Sequence, residues 1–77
     1  MLGLSPLQKR VFNFIVEYMD DNEGTSPTYS EIQNALEIKH HNTVKGVLIG
    51  LEKKRYIERE WASRRGINLI YLHKKID

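Results

Sequence analysis

The chain contains no cysteine. This excludes a disulfide framework, a thiolate zinc site and a cysteine nucleophile, and it fits a reducing compartment. Its five glycines are scattered, so there is no glycine-rich loop of the kind that cradles phosphates. No apolar run approaches the roughly 20 residues needed to span a bilayer, and no signal-peptide pattern opens the chain. Serine and histidine are present, but no nucleophile elbow or paired-carboxylate arrangement surrounds them, so no enzymatic activity is expected. His40 and His41 make a poor metal pair, because adjacent residues at a helix start point apart and no third ligand stands at useful spacing. The expectation is therefore no cofactor, no metal, no small-molecule substrate and no membrane. At 77 residues the chain is one domain, and a fold of this size buries only roughly 60% of the surface its unfolded form exposes.

What is present is an uneven charge. The net charge is only +2. Residues 1–38 nevertheless carry Lys9 and Arg10 against six acidic residues, a net −4, and residues 39–77 carry ten basic residues against four acidic ones, a net +6. Such a split suits one face to a polyanion, with a merely solvated basic surface as the alternative.

The two prolines mark helix starts. Ser5-Pro6 places serine at an N-cap and proline at the first helical position, where its missing N–H costs nothing. Leu7, Val11, Phe12, Ile15, Tyr18 and Met19 then form an apolar stripe over a helix of about 6–22. Acidic residues at its C-terminal end are disfavoured by the macrodipole. Pro27 precedes Thr28, which with Glu31 three residues later spells a capping box for a second helix of about 29–36. Ile32, Ala35 and Leu36 give that helix its apolar side. Val44, Val47, Leu48 and Leu51 recur at i, i+3, i+4 and i+7 on a third helix of about 41–54, whose other face carries Asn42, Thr43, Lys45, Gly46 and Ile49. Beyond Arg55 the period becomes two. Ile57, Arg59 and Trp61 alternate with Glu58 and Glu60, and after a polar stretch containing Gly66 the chain resumes as a second strand, giving a hairpin of about 57–61 and 67–72.

Two short helices across a tight connection, the second exposing small and hydrogen-bonding residues at its start, can set a helix into a DNA major groove. Three helices followed by a two-stranded hairpin is the order of a winged helix-turn-helix, mainly α with a small β element. A lone hairpin is not stable in water, so it packs on the helices. The expected core is Phe12, Ile15, Ile32, Leu36, Val44, Leu48 and Leu51, closed by Ile57, Ile67 and Leu69.

From Leu4 to Ile70 the chain resembles the N-terminal DNA-binding domain of LexA, the bacterial SOS-response repressor. The matching stretches are LSPLQKRVFNFI, SPTYSEIQNAL, the segment around Asn42 with its Leu48-xx-Leu51 pair, LEKKRYIE and SRRGINL. The resemblance implies double-stranded DNA as partner, a third helix that reads bases, a wing that touches the backbone, and a cytoplasmic, nucleoid-associated protein. Its base-reading positions fall at His40, Asn42, Thr43, Lys45 and Gly46. Asn42 matches the family residue. The others depart: the family has serine, then small residues, then a pair of glutamates where Lys45 and Gly46 stand, and His41 replaces a common proline. Acidic side chains accept from cytosine while lysine donates to guanine, so the target sequence is expected to differ from the SOS operator. LexA proteins continue into a self-cleaving serine/lysine protease domain that also dimerises. These residues leave no room for it, so the expectation is an excised domain or a stand-alone regulator, monomeric alone and dimeric on DNA or through a C-terminal domain.

Other residues have two readings. Tyr29 and Ser30 are placed to touch phosphate as the second helix crosses the backbone, as is His41. Ser63, Arg64 and Arg65 are expected to contact phosphate or the minor groove, with Gly66 supplying the positive φ of a tight turn. The alternative is a solvated hairpin tip. Lys53 is either a phosphate contact or, with Lys54 and Arg55, a complement to the helix dipole. Trp61 is a packing residue or a stacking one. A winged helix can also serve as a protein-interaction module without reading DNA, which would favour an apolar patch on the third helix.

Overall fold

The computed structural model describes residues 3–60 and 62–70. Helix α1 spans Pro6–Asp21, α2 Tyr29–Ala35 and α3 His41–Lys53, followed by strands β1, Ile57–Arg59, and β2, Ile67–Leu69. Helices α1 and α2 begin where their caps dictate. Ser5 Oγ accepts from the Gln8 amide (3.2 Å) and Gln8 Oε1 accepts from the Ser5 amide (3.0 Å). This reciprocal box goes beyond the single serine cap read from the sequence. Thr28 and Glu31 form the expected box, at 3.1 and 2.8 Å. His40 precedes α3 with extended backbone and gives it no side-chain cap.

All three helices end alike. The residue after each C-cap turns into the left-handed region, and an amide then reaches back to a carbonyl five residues earlier. These closing bonds are Gly24 to Met19 (2.8 Å), Ile38 to Gln33 (2.9 Å) and Tyr56 to Leu51 (3.0 Å). Glycine is the usual occupant of that left-handed position. Here it is Glu23 (φ 55°), Glu37 (φ 54°) and Arg55 (φ 63°). The reversal at Arg55 drops Tyr56 straight into the core, where its ring meets Phe12 edge-on at 5.2 Å.

The core is made of Val11, Phe12, Ile15, Val16, Ile32, Val44, Leu48, Leu51, Tyr56, Ile57 and Ile67. Each fully buried aliphatic or phenyl side chain contributes about 1.5–3 kcal/mol. Val11, Val16 and Tyr56 join the expected set, while Leu36 and Leu69 are only partly buried against it. Ala35 is exposed rather than part of the apolar side of α2. Lys54 Nζ ties the end of α3 to the start of the chain through Gly3 O (2.7 Å) and Gln8 Oε1 (2.9 Å).

The hairpin is antiparallel, with Ile57 opposite Leu69, Glu58 opposite Asn68 and Arg59 opposite Ile67. It is shorter than the alternation suggested. Backbone bonds from Glu60 to Gly66 O (2.8 Å) and Ile70 to Tyr56 O (3.1 Å) extend it at either end. Trp61 and positions 71–72 of the expected strands lie outside the described residues. Gly66 does not take the positive φ expected of it. It is needed for space, because a Cβ there would sit 2.6 Å from Glu60 O.

The loop of the wing is fastened to the helices by Arg65. Arg65 donates to both Glu31 carboxylate oxygens, at 2.9 and 3.1 Å, and also to Ser26 O (2.9 Å) and the Tyr18 hydroxyl (3.2 Å). Beside it the Ile67 amide donates to the buried Ser26 Oγ (3.3 Å). The Arg65 hydrogen bonds, followed by the Thr28 amide, hold the Glu31 carboxyl down from its ordinary 4.5 to about 2.

Two predictions follow from these contacts. Replacing a strained left-handed glutamate, Glu37→Gly, relieves a backbone cost of roughly 1–2 kcal/mol, offset in part by glycine entropy, so a net gain of about 0.5–1 kcal/mol is expected. Thermal unfolding should register it as a Tm rise of several degrees. A carboxylate whose pKa is lower folded than unfolded stabilises above its unfolded value, and loses that stabilisation as pH falls through the folded one. Amide protection in residues 62–69, taken relative to intrinsic exchange rates, should therefore fall as pH drops from 4.5 towards 2, and Glu31→Gln should flatten that dependence.

Candidate nucleic-acid interface

The first turns of α2 and α3 and the loop of the wing surround an open cleft of about 520 Å³. Tyr29 and Ser30 reach it from the start of α2. His41, Asn42 and Lys45 reach it from α3, and Ser63 and Arg64 from the wing. These placements have simple causes. Thr28 fixes where α2 starts, which leaves Ser30 exposed at its positive end and Tyr29 half-buried beside it. On α3, positions 41 and 45 and positions 42 and 45 are helical neighbours, while Val44 and Leu48 turn the opposite side into the core. Gly66 brings the two ends of the wing loop together, leaving Ser63 and Arg64 exposed at its tip.

The remaining expected site residues are distributed differently. His40, Thr43 and Gly46 are exposed on the outer side of α3, beside the cleft but not lining it. A Cβ at Gly46 would meet nothing within 4 Å, so the fold does not require glycine there. Lys53 closes α3, roughly 18 Å along the axis from His41 at 1.5 Å per residue, and is not brought to the cleft. Arg65 does not line the cleft; its exposed side chain bonds Glu31, Ser26 and Tyr18. Ile49 is half-buried, and among the described residues Ile70 is the one large apolar side chain that is exposed.

The sequence reading missed Arg59. Its side chain is 3% exposed and forms the floor of the cleft. It pairs with Glu52 Oε1 through Nε (3.1 Å) and through a terminal nitrogen (3.0 Å). Its other terminal nitrogen donates to the Tyr29 hydroxyl (2.8 Å), and the Tyr29 ring lies 5.8 Å from that of His41. Burial opposes the charge of Arg59, but the hydrogen bonds to Tyr29 and Glu52 outweigh it and leave the guanidinium more basic than usual. A signal was available. Arg59 shares the period-two face of inward-pointing Ile57, and a buried arginine requires partners.

The surface so assembled has exposed cations at Lys45 and Arg64, amide and hydroxyl groups at Asn42, Ser30 and Ser63, and an uncapped helix start between them. That combination suits an anion flanked by hydrogen-bonding edges. Among the described residues no cluster of His, Cys, Asp or Glu could hold a metal ion, and no helix is long and apolar enough to cross a membrane.

Comparison with known proteins agrees with this geometry. The LexA DNA binding domain family matches residues 1–66. The LexA repressor of Syntrophotalea carbinolica is 36% identical over 69 residues, covering 90% of this chain and 34% of its own length. That of Syntrophobacter fumaroxidans is 36% identical over 73 residues, covering 94% and 35%. LexA repressor 1 of Geobacter sulfurreducens is 40% identical over 70 residues, covering 91% and 34%. The chain spans about a third of the length of these curated relatives. The match takes in both capping boxes, the whole of α3 and the wing through Gly66, and the chain belongs to the LexA DNA-binding-domain family.

Proposed function

We propose that this chain binds double-stranded DNA sequence-specifically, with α3 in the major groove, as the DNA-binding part of a LexA-type transcriptional repressor of the bacterial nucleoid. The observation that carries the reading is the convergence of the α3 first turn, the α2 start and the wing tip on one cleft rimmed by Lys45 and Arg64. Asn42 and Lys45 read base edges from within the cleft, with His40, Thr43 and Gly46 on the adjoining side of the helix. Asparagine pairs with adenine and lysine donates to guanine. Ser30, His41, Ser63 and Arg64 meet the phosphates and fix the register. Lys53 answers the dipole of α3 instead, and Arg65 supports the wing. No catalytic step is assigned to these residues. A single domain binds weakly, and two copies on two half-sites supply the affinity of the assembled repressor. A protein-interaction role would call for an apolar patch on α3, and the half-burial of Ile49 disfavours it.

A backbone-amide NMR titration with a short duplex at low and moderate salt tests the reading. Shifts should concentrate at residues 29–30, 40–46 and 63–66 and weaken steeply with salt. Absence of shifts at low salt would overturn it. Asn42→Ala should lower the preference for a selected duplex by about 1–3 kcal/mol and leave random duplexes almost unaffected. Arg64→Ala should weaken all duplexes alike and reduce the salt slope by about 1. Equal losses on selected and random DNA for Asn42→Ala would count against base reading.

A further inference from the structure

Beneath the cleft, groups of three elements, α3, β1 and α2, are joined end to end. Glu52, near the C-terminal end of α3, accepts from Arg59 on β1. Arg59 donates to the hydroxyl of Tyr29, the first residue of α2. The Tyr29 ring lies against His41, the first residue of α3, with the ring planes tilted by 33°. We propose that Arg59 is the positioning residue of this surface: the strut Glu52–Arg59–Tyr29–His41 sets the angle between the first turn of α3 and the wing, and thereby which bases Asn42 and Lys45 reach. The inference rests on the DNA-binding reading and extends it from contact residues to the group that aims them.

Four features support this role. The start of α3 has no side-chain cap, so its orientation depends on what touches His41. The guanidinium is a planar fork whose donors leave in fixed directions, so pairing with Glu52 dictates where the Tyr29 hydroxyl must lie. A buried Arg–Glu pair contributes little net stability compared with an apolar pair, so its main consequence here is geometric. Arg59 is nearly inaccessible to solvent, which separates it from the exposed Arg64 that meets phosphate.

The test uses the whole chain, a duplex selected from a random pool, and a random duplex. Arg59→Lys retains a cation for Glu52 but cannot hold both partners, and Tyr29→Phe removes only the hydroxyl. Each should move the His41 ring-proton shifts in the unbound protein. Each should weaken the selected duplex about tenfold, the order of one spoiled base contact. Arg59→Lys should change the random duplex by less than about twofold and leave the salt slope intact. The double variant should lose no more than either single one, because both break the same link. Unmoved His41 shifts, equal losses on the two duplexes, or additive losses would each overturn the inference. If Arg59→Lys fails to fold, Tyr29→Phe alone decides between the same outcomes. A wild-type chain that binds DNA without discriminating sequences would overturn the specificity role together with base reading. Discrimination that survives both substitutions would overturn only the role of Arg59.

Discussion

The Glu31 carboxylate accepts from the Thr28 amide and is gripped by both terminal nitrogens of Arg65. The first contact starts α2, and the second docks the wing. A hairpin with three residues in each strand has no independent stability. It exists because Ile57 and Ile67 enter the helical core and because Arg65 fastens its loop to α2. Since one carboxylate serves both contacts, the start of α2 and the position of the wing are physically linked. The cleft is bounded on two of its sides by those two elements, so its shape depends in part on this side chain.

Legibility in the sequence followed the range of the interactions. Helix starts were read correctly because capping boxes act within four residues. The apolar faces of α1 and α3 were legible for the same reason, being fixed by a period of 3.6. Long-range polar pairs were not. The partners of Arg65 lie up to 47 positions away at Tyr18, so its fastening of the wing has no local signal beside the phosphate contact that a wing arginine suggests. Arg59 was passed over because its neighbours in sequence are charged, although its face of the strand is that of Ile57. Gly66 was assigned conformational freedom when the fold uses its small size. The three left-handed helix ends carry no glycine signal at all, since tertiary packing and the closing hydrogen bonds impose them on Glu23, Glu37 and Arg55.

The charge count also needs to be divided by use. The C-terminal half carries a net +6, which taken alone implies a broad basic face. Arg59, Arg65 and Lys54 also make contacts within the protein, holding Glu52 and Tyr29, the wing, and the N-terminal segment respectively. Two acidic residues, Glu31 and Glu52, neutralise part of the excess from within the same surface. At the cleft the outward cations are Lys45 and Arg64.

That division bears on how such a domain binds. Phosphate contacts supply sequence-independent affinity, each releasing about one counterion. A surface that presents few outward cations gains little on random DNA, so a larger share of its binding must come from base edges and from shape. Such contacts tolerate little misalignment, because a hydrogen bond weakens steeply once its angle or distance slips. The arginines withdrawn into the structure therefore act on the same quantity from the other side. Arg65 fixes the wing against α2 and Arg59 joins β1 to α2 and α3; on the proposed DNA-binding reading, preorganisation of this kind raises affinity without adding contacts.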